Sequence, residues 1–423
     1  MVFCHGGDGS AGTVCEGVRL ITPARQLLTA FQFGDIRMLW ISTVSNQLGQ
    51  GVQLVVLGWL VFDMTGSSGM VGVIFAARAA PNLIVGLIAG SITDRVDRRT
   101  MMRVAVSGLA LTSLGAGLVL STGQLDIWQL MLVTFMLGTF QAFYVTARQV
   151  YVYDVVGASG VINAIALISL GQRLGQVFGA LMAGALIYWQ GAGTSFLAMS
   201  LGYGFGVMTL YMLRHAGGSA PPQRELMGEN ILNYFRALRT NRLMLSLMVS
   251  TAATEVFGFS HQVMLPILAK DVLLVGAVGL GVLTAFRFLG GALGVVILAA
   301  LGEVRRRGLL LLSAVALFGI GQVLLGQAFN FWVALLVVAF ANAMASIADV
   351  LHQSLLQLSV SNEQRGRAMG SWIVGIGTAP VGHLQVGYLA EATNARIALL
   401  INGVTLAVLA LTLGVVLPRL RRL

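Results

Sequence analysis

Long runs of apolar residues, separated by short polar connections, organise this chain. Each run is close to the roughly 20 residues that an α-helix needs to cross the hydrocarbon core of a bilayer. The runs lie at about 38–62, 69–92, 103–122, 126–147, 161–188, 194–213, 243–268, 272–301, 308–327, 331–353, 368–390 and 396–417. The pattern predicts an all-α integral membrane protein with twelve transmembrane helices.

Two uncharged stretches, 174–213 and 308–348, are too long for a single membrane-spanning helix. We predict that each stretch folds as two helices joined by a short turn. The turns are expected near residues 191–193 and near residues 327–330, where glycine, glutamine and asparagine interrupt the apolar pattern.

Composition supports a lipid environment. Hydrophobic residues form 57% of the 423 positions and charged residues only 10%, against roughly 25% charged residues in an ordinary soluble domain. A soluble protein of this size could not bury so much apolar surface in one core. We therefore expect the bilayer to surround most of the chain.

The distribution of the basic residues predicts topology. With a cytoplasmic N-terminus, only Lys270 and Arg396 face outward, and Arg78, Arg173 and Arg287 fall within spans, so the other 21 of the 26 basic residues lie inside. An excess of Lys and Arg in cytoplasmic loops is the usual orientation signal. The net charge of +10 is thus interpreted as a topology signal with both termini cytoplasmic, and no nucleic-acid partner is expected.

Four regions follow from this pattern. Residues 1–35 are predicted to be a flexible cytoplasmic tail, without signal-peptide organisation, and both cysteines, Cys4 and Cys15, lie in it. An N-terminal six-helix bundle is predicted over 36–213 and a C-terminal one over 243–423. The connection 214–242 begins with a Gly- and Pro-containing linker and continues with helical periodicity, which predicts an amphipathic helix on the inner leaflet.

A charged motif follows the second apolar run. Its pattern is Gly-x-x-x-Asp-Arg-x-Asp-Arg-Arg, formed by Gly90, Asp94, Arg95, Asp97, Arg98 and Arg99. The motif resembles the loop between helices two and three of the major facilitator superfamily, which has Gly where this chain has Asp97. This variant resembles the branch that contains the enterobactin exporter and drug-efflux relatives. The alternative reading is a charged loop that holds the helix end at the interface.

The two halves of the chain repeat the same spacing. Arg78 precedes Asp94 by 16 residues, and Arg287 precedes Glu303 by 16. Gly179 and Gly184 in span five likewise match Gly382 and Gly387 in span eleven. Parallel repeats related by an axis along the membrane normal are typical of major facilitator transporters, so we expect two pseudo-symmetric six-helix bundles.

Two further stretches are informative. Gly171, Gly175 and Gly179 place small residues on one face of span five, which favours close helix packing. The family's antiporter motif has Pro after the last of these positions, whereas this chain has Ala180. Residues 365–370, with two arginines flanking a glycine, resemble a segment common in the enterobactin-exporter branch.

The resemblance implies a function. We expect a secondary transporter that exports a small organic molecule, a siderophore or a drug, in exchange for protons by alternating access, functional as a monomer and without a cofactor. In such a protein Asp94 would latch the cytoplasmic side against the N-terminus of span eleven. An enzyme is not expected. The chain has no phosphate-binding loop, so ATP is not expected to drive the transport cycle directly, and no cluster of residues has the spacing of metal ligands. An importer of the same fold and a non-transporting scaffold or sensor remain alternatives.

Polar stripes on spans one, four, seven and ten predict a central cavity, since lipid excludes such groups and the family lines its cavity with these spans. The candidate cavity residues are Asn46, Gln50, Gln53, Gln141, Tyr144, Thr251, Gln262, Asn342 and Ser346. Hydrogen bonding between helices without a ligand is the alternative for each of these residues. His261 and His383 are interpreted as hydrogen-bonded helix residues.

Four of the charged residues within the predicted spans are candidates for a functional role. Glu255 and Asp349 are candidates for loading and releasing a proton, with Glu255 preferred, because a carboxylate in a low-dielectric cavity binds a proton more readily than one in water. Each carboxylate could instead pair with Arg78 or Arg287. The two arginines either bind an anionic substrate or form gating pairs, and their symmetric positions favour gating.

Overall fold

A computed structural model describes residues 29–93, 96–123, 125–214, 242–302, 304–358, 374–416 and 421. We number the helices of this described part in chain order. The first half contains α1 (Gly34–Thr65), α2 (Ser68–Thr93), α3 (Arg98–Ser121), α4 (Ile127–Gly157), α5 (Asn163–Gln190) and α6 (Ala192–Tyr211). The second half contains α7 (Leu243–Val272), α8 (Gly276–Leu301), α9 (Arg307–Gly326), α10 (Phe331–Leu358), α11 (Ala379–Ala392) and α12 (Ala395–Val416).

Each predicted span corresponds to one of these helices, so the predicted fold class is confirmed. The turn between α5 and α6 lies at Gly191, whose φ of 87° favours glycine, and residues 327–330 join α9 to α10. Within the described ranges, nine helices are long and apolar enough to cross a membrane: α1, α3, α4, α5, α7, α8, α9, α10 and α12. The predicted tail and linker, and the segment 365–370, fall largely or wholly outside the described residues and stay predictions.

Two helices depart from regular geometry. The helical run Ile127–Gln190 is interrupted at Gly157, with φ 67° and ψ −177°, so α4 continues well past its predicted end before the chain turns into α5. Helix α7 changes to π-helix over Thr254–Gly258 and to 3-10 helix over Phe259–Val263. Such π-helical turns inside α-helices occur frequently at functional sites.

Helix packing repeats between the halves. In the first half α3 packs against α6 and α4, and α2 packs against α4; in the second half α9 packs against α12 and α10, and α8 against α10. The halves meet along two helix pairs, α2 with α11 and α5 with α8. These pairs are themselves equivalent, because α2 corresponds to α8 and α5 to α11.

Glycines allow the helix backbones to approach closely at the two interfaces. A Cβ at Gly387 would lie 2.9 Å from Cα of Gly72, and a Cβ at Gly184 would lie 3.1 Å from Cα of Gly281. Gly179 and Gly382, the other matched pair, instead contact Leu48 of α1 and Val256 of α7, each within its own half. The glycines that match in the sequence therefore make equivalent contacts in the two halves of the structure.

The halves also touch at the end of the molecule where α1 connects to α2, which we call the closed end. Nζ of Lys270 lies 2.5 Å from Oδ1 of Asp63. Oε2 of Glu391, on α11, accepts hydrogen bonds from Oγ of Ser67 at 2.8 Å and from the backbone N–H of Gly69 at 2.9 Å. Glu391 thereby caps the N-terminus of α2 across the interface.

Candidate functional site

A cavity of about 270 Å³ lies between the two halves. The first half lines it with Gln50, Leu54, Arg78, Arg173 and Gln176. The second half lines it with Phe259, Gln262, Arg287, Phe288, Gly291, Asn342, Ser346 and Asp349. The volume is close to the lower end of the roughly 300–1,000 Å³ found for small-molecule pockets.

Three arginines from three different helices face this cavity. Nη2 of Arg78 on α2 donates to Oε1 of Gln50 at 3.0 Å. Arg173 on α5 reaches the other half, because a Cβ at Gly291 of α8 would lie 3.0 Å from its Nη1. Arg287 on α8 has a buried Nε without a hydrogen-bond partner, and it interacts electrostatically with both other arginines.

Two acidic residues lie beside the arginines. Asp349 lines the cavity, accepts a long hydrogen bond from Gln353 at 3.5 Å, and interacts electrostatically with Arg173. Glu255 lies in the π-helical part of α7 and interacts electrostatically with Asp349 and with Arg287. In the described part of the chain, Arg78, Arg173 and Arg287 make no salt bridge.

Four of the predicted neutral cavity residues line the cavity. Gln50, besides accepting from Arg78, donates to Oη of Tyr203 at 3.3 Å. Nε2 of Gln262 lies 2.7 Å from Nε2 of His383, and Nδ2 of Asn342 donates to the carbonyl of Val338 at 2.9 Å. Ser346, one turn further along α10, completes this set.

The other predicted cavity residues are not among those that line this cavity. Asn46 and Gln53 are fully buried, and within the described residues their side-chain amides have no hydrogen-bond partner. Oη of Tyr144 lies 3.3 Å from Oγ1 of Thr43, and Oε1 of Gln141 is buried without a partner in the same part of the chain. Thr251 donates to the carbonyl one turn earlier in its own helix. The cavity thus receives polar groups from three of the four predicted spans, α1, α7 and α10, and also from α2, α5 and α8.

The charged motif is described in part. Gly90 lies in α2, whereas Asp94 and Arg95 fall outside the described residues, so the predicted latch to span eleven stays a prediction. Asp97 is the N-cap of α3 and accepts from the N–H of Arg99 at 3.2 Å. Nε of Arg99 lies 3.5 Å from Oδ2 of Asp97.

Arg98 of the same motif is buried and forms an ion pair with Asp154 near the end of α4. The sequence motif alone did not identify this partner. Asp154 lies three residues before Gly157, where the helical run breaks, and the pair joins α4 to the start of α3. This contact lies within the first half.

Arg173 and Gln176 are the polar cavity residues that sequence reasoning missed. Arg173 carries the same signal as Arg78, since a charge within a span is costly. Its neighbours Gly171, Gly175 and Gly179 pack α5 against Trp40, Val44 and Leu48 of α1, as the small-residue stripe predicted. Gln176 donates to Oε1 of Gln47 on α1 at 2.9 Å. Among the described residues, no group of three or more His, Cys, Asp or Glu could hold a metal ion.

Comparison with known proteins assigns the chain to a family. The transmembrane secretion effector family matches residues 27–422. The Staphyloferrin A transporter of Staphylococcus aureus is 21% identical over 86% of this chain and 90% of its own length. The multidrug efflux pump Tap of Mycolicibacterium fortuitum is 22% identical over 94% and 98%, and the enterobactin exporter EntS of Salmonella typhimurium is 26% identical over 85% and 86%.

Solved structures show the same fold. The nucleoside transporter NupG has a TM-score of 0.70 at 14% identity, over 90% of this chain and 98% of its own. A bacterial homolog of the human lysosomal transporter Spinster, in an inward-facing and unoccupied conformation, also has a TM-score of 0.70, at 15% identity over 95% and 98%. The chain is a multi-pass membrane protein that belongs to the transmembrane secretion effector family of major facilitator superfamily transporters.

Proposed function

We propose that this protein exports a small organic molecule, a siderophore or a drug, across the bacterial inner membrane by alternating access coupled to the proton gradient. The observation that carries the proposal is the cavity between the halves, to which α1, α2 and α5 contribute from one side and α7, α8 and α10 from the other. A rocking motion of the two halves would expose such a cavity to each side of the membrane in turn.

The contacts at the closed end suit this motion. They include one partly exposed ion pair, the hydrogen bonds to Glu391, and a hydrogen bond from Oγ of Ser68 to the carbonyl of Gly387. Water can replace polar contacts of this kind when the halves separate. With both termini in the cytoplasm, as the arginine distribution predicts, the closed end faces outward. A closed outward end is compatible with loading of cargo from the cytoplasm.

Direction is testable in everted membrane vesicles. Vesicles energised by respiration are loaded with acridine orange, and a panel of siderophores, dyes and antibiotics is added one compound at a time. A proton-coupled exporter should release protons on addition of its substrate and restore the fluorescence, whereas vesicles without the protein should not respond. If every compound that binds the purified protein accumulates only in intact cells, import replaces export.

Coupling is assigned to Glu255, with Asp349 as the second candidate, because both lie beside the cavity arginines. Glu255→Gln and Asp349→Asn should each be compared with Asp271→Asn, an exposed acid at the end of α7. We expect the substrate-induced proton signal to be lost in at least one of the first two variants and kept in the control. An unaltered signal in both would remove these residues from the coupling step.

A further inference from the structure

We propose that the cavity binds an organic molecule carrying two or more oxyanion groups, such as a polycarboxylate, and that Arg173 and Arg287 contact those groups. The inference rests on the proposed function and narrows its cargo to a chemical class. It is carried by the charge, position and hydrogen bonding of the residues that line the cavity.

The described lining of the cavity carries a net positive charge. It contains three guanidinium groups, those of Arg78, Arg173 and Arg287, and one carboxylate, that of Asp349. A charged side chain within the membrane is costly unless a partner compensates it. The lining residues therefore leave a surplus of two positive charges for a ligand to neutralise, or one when the neighbouring Glu255 is ionised.

Two of these arginines also have guanidinium N–H groups that are available to a ligand. Arg78 is engaged by Gln50, whereas within the described residues neither Arg173 nor Arg287 has a hydrogen bond or a salt bridge, and Nε of Arg287 is buried. A guanidinium presents five N–H donors in a planar fork that matches carboxylate geometry. Two such forks in one cavity suit a ligand with more than one oxyanion.

Polar groups from two different helices also converge at one point of the cavity wall. A Cβ at Gly291 would lie 2.9 Å from Oγ of Ser346 and 3.0 Å from Nη1 of Arg173. A hydroxyl from α10 and a guanidinium from α5 thus approach the same point on α8, where glycine leaves no side chain in the way. The rings of Phe259 and Phe288 also line the cavity, with the Phe288 ring centroid 5.4 Å from Cζ of Arg287, and they provide apolar surface for the carbon skeleton of a ligand.

Binding to the purified full-length protein tests the proposal separately from transport. Isothermal titration calorimetry at low ionic strength would compare acetate, succinate, citrate and pyrophosphate with the cationic dye ethidium. We expect affinity to rise with the number of negative charges. Arg173→Gln and Arg287→Gln should each weaken citrate binding at least tenfold, whereas Arg396→Gln, an exposed arginine at the start of α12, should not change it.

Two further variants keep the result interpretable. Arg287→Lys retains the charge without the fork and should bind citrate more weakly than the wild type but more tightly than Arg287→Gln. Asp349→Asn removes the competing negative charge and should bind citrate more tightly. Size-exclusion chromatography of each variant checks that it is folded.

The outcomes separate this inference from the proposed function. Equal affinity across the anion series, or citrate binding that is unaltered in both arginine-to-glutamine variants, would overturn the anion site. Transport of a cation or neutral molecule that does not depend on Arg173 and Arg287 would overturn it as well, while leaving the exporter intact. Charge-dependent binding without any transport would keep the anion site and refute the exporter.

Discussion

Arg78 and Arg287 occupy the same position in the two halves of the molecule, and their surroundings differ. Both lie six residues after an interface glycine, Gly72 or Gly281. Arg78 donates to Gln50, which in turn donates to Tyr203. Among the described residues Arg287 has no such chain, and its buried Nε has no hydrogen-bond partner there.

The difference arises in the helices that face the arginines. Leu48 and Val256 contact the matched glycines of α5 and α11, so α1 and α7 can be aligned on this pair. In that alignment the position of Gln50 is taken by Gly258, which offers Arg287 no acceptor side chain. The same alignment sets Glu255 opposite Gln47, so the second half has a carboxylate where the first half has an amide. The first half thus has a chain of hydrogen-bonded polar side chains. The second half has an arginine and a carboxylate that can respond to a ligand or a proton.

The largest effect is expected where the halves are alike. Gly72→Ala and Gly281→Ala should each reduce transport at least tenfold, because the added Cβ would meet the backbone of the opposite half, at 2.7 Å from the carbonyl of Ala180 in the case of Gly281. Overpacking of this kind costs about 1–3 kcal/mol. The rate of substrate-induced proton release in everted vesicles measures the loss.

Gly204→Ala is the matched control, since Gly204 lies in a helix with nothing within 4 Å of its Cβ position. It should transport at the wild-type rate. Normal transport by either interface variant would mean that close approach of the helices at that interface is not required.

The second largest effect is expected to differ between Arg78 and Arg287. Arg287→Gln should weaken binding of an anionic ligand tenfold or more, whereas Arg78→Gln should weaken it less than threefold. Arg78→Gln should instead lower stability by about 1–2 kcal/mol, because it breaks a hydrogen bond to a charged group. Calorimetric titration with citrate and thermal unfolding measure the two quantities. Equal losses of affinity would show that the divergence of the halves has no bearing on the ligand.

Much of this comparison could be read from the sequence, and part of it could not. The helices follow from the apolar runs, because in lipid each span must satisfy its own backbone hydrogen bonds. The equivalence of Arg78 and Arg287 follows from their spacing to Asp94 and Glu303. The partner of each arginine depends on which helix packs beside it and at which rotation, and no spacing within one helix contains that information.

Arg173 illustrates the same limit. Its charge marked it as unusual, but its approach to Gly291 depends on the packing of α5 against α8 across the interface. Asn46 and Gln53 show the same limit from the other side. The polar stripe along α1 is visible in the sequence, whereas the complete burial of these two side chains is not.

A third, smaller effect concerns Glu255, which distinguishes α7 from α1. Its carboxylate and an anionic ligand would compete for Arg287, so Glu255→Gln, which copies the Gln47 of the first half, should tighten citrate binding by a few fold. Asp271→Asn should leave the affinity unchanged. Weaker binding in Glu255→Gln would mean that the carboxylate positions Arg287 for the ligand instead of competing with it.

The smallest effect is expected at the closed end, where the halves are joined by contacts of unequal strength. The ion pair of Asp63 and Lys270 is partly exposed, with side-chain exposures of 55% and 33%, and pairs of this kind contribute about 0–1 kcal/mol. Glu391 receives two hydrogen bonds at the N-terminus of α2, where a carboxylate also interacts favourably with the helix dipole. Glu391→Gln should therefore open this end more than Asp63→Asn does. Spin labels across the closed end, read by pulsed electron paramagnetic resonance, would measure the open fraction, and a larger opening in Asp63→Asn would assign the closure to the ion pair.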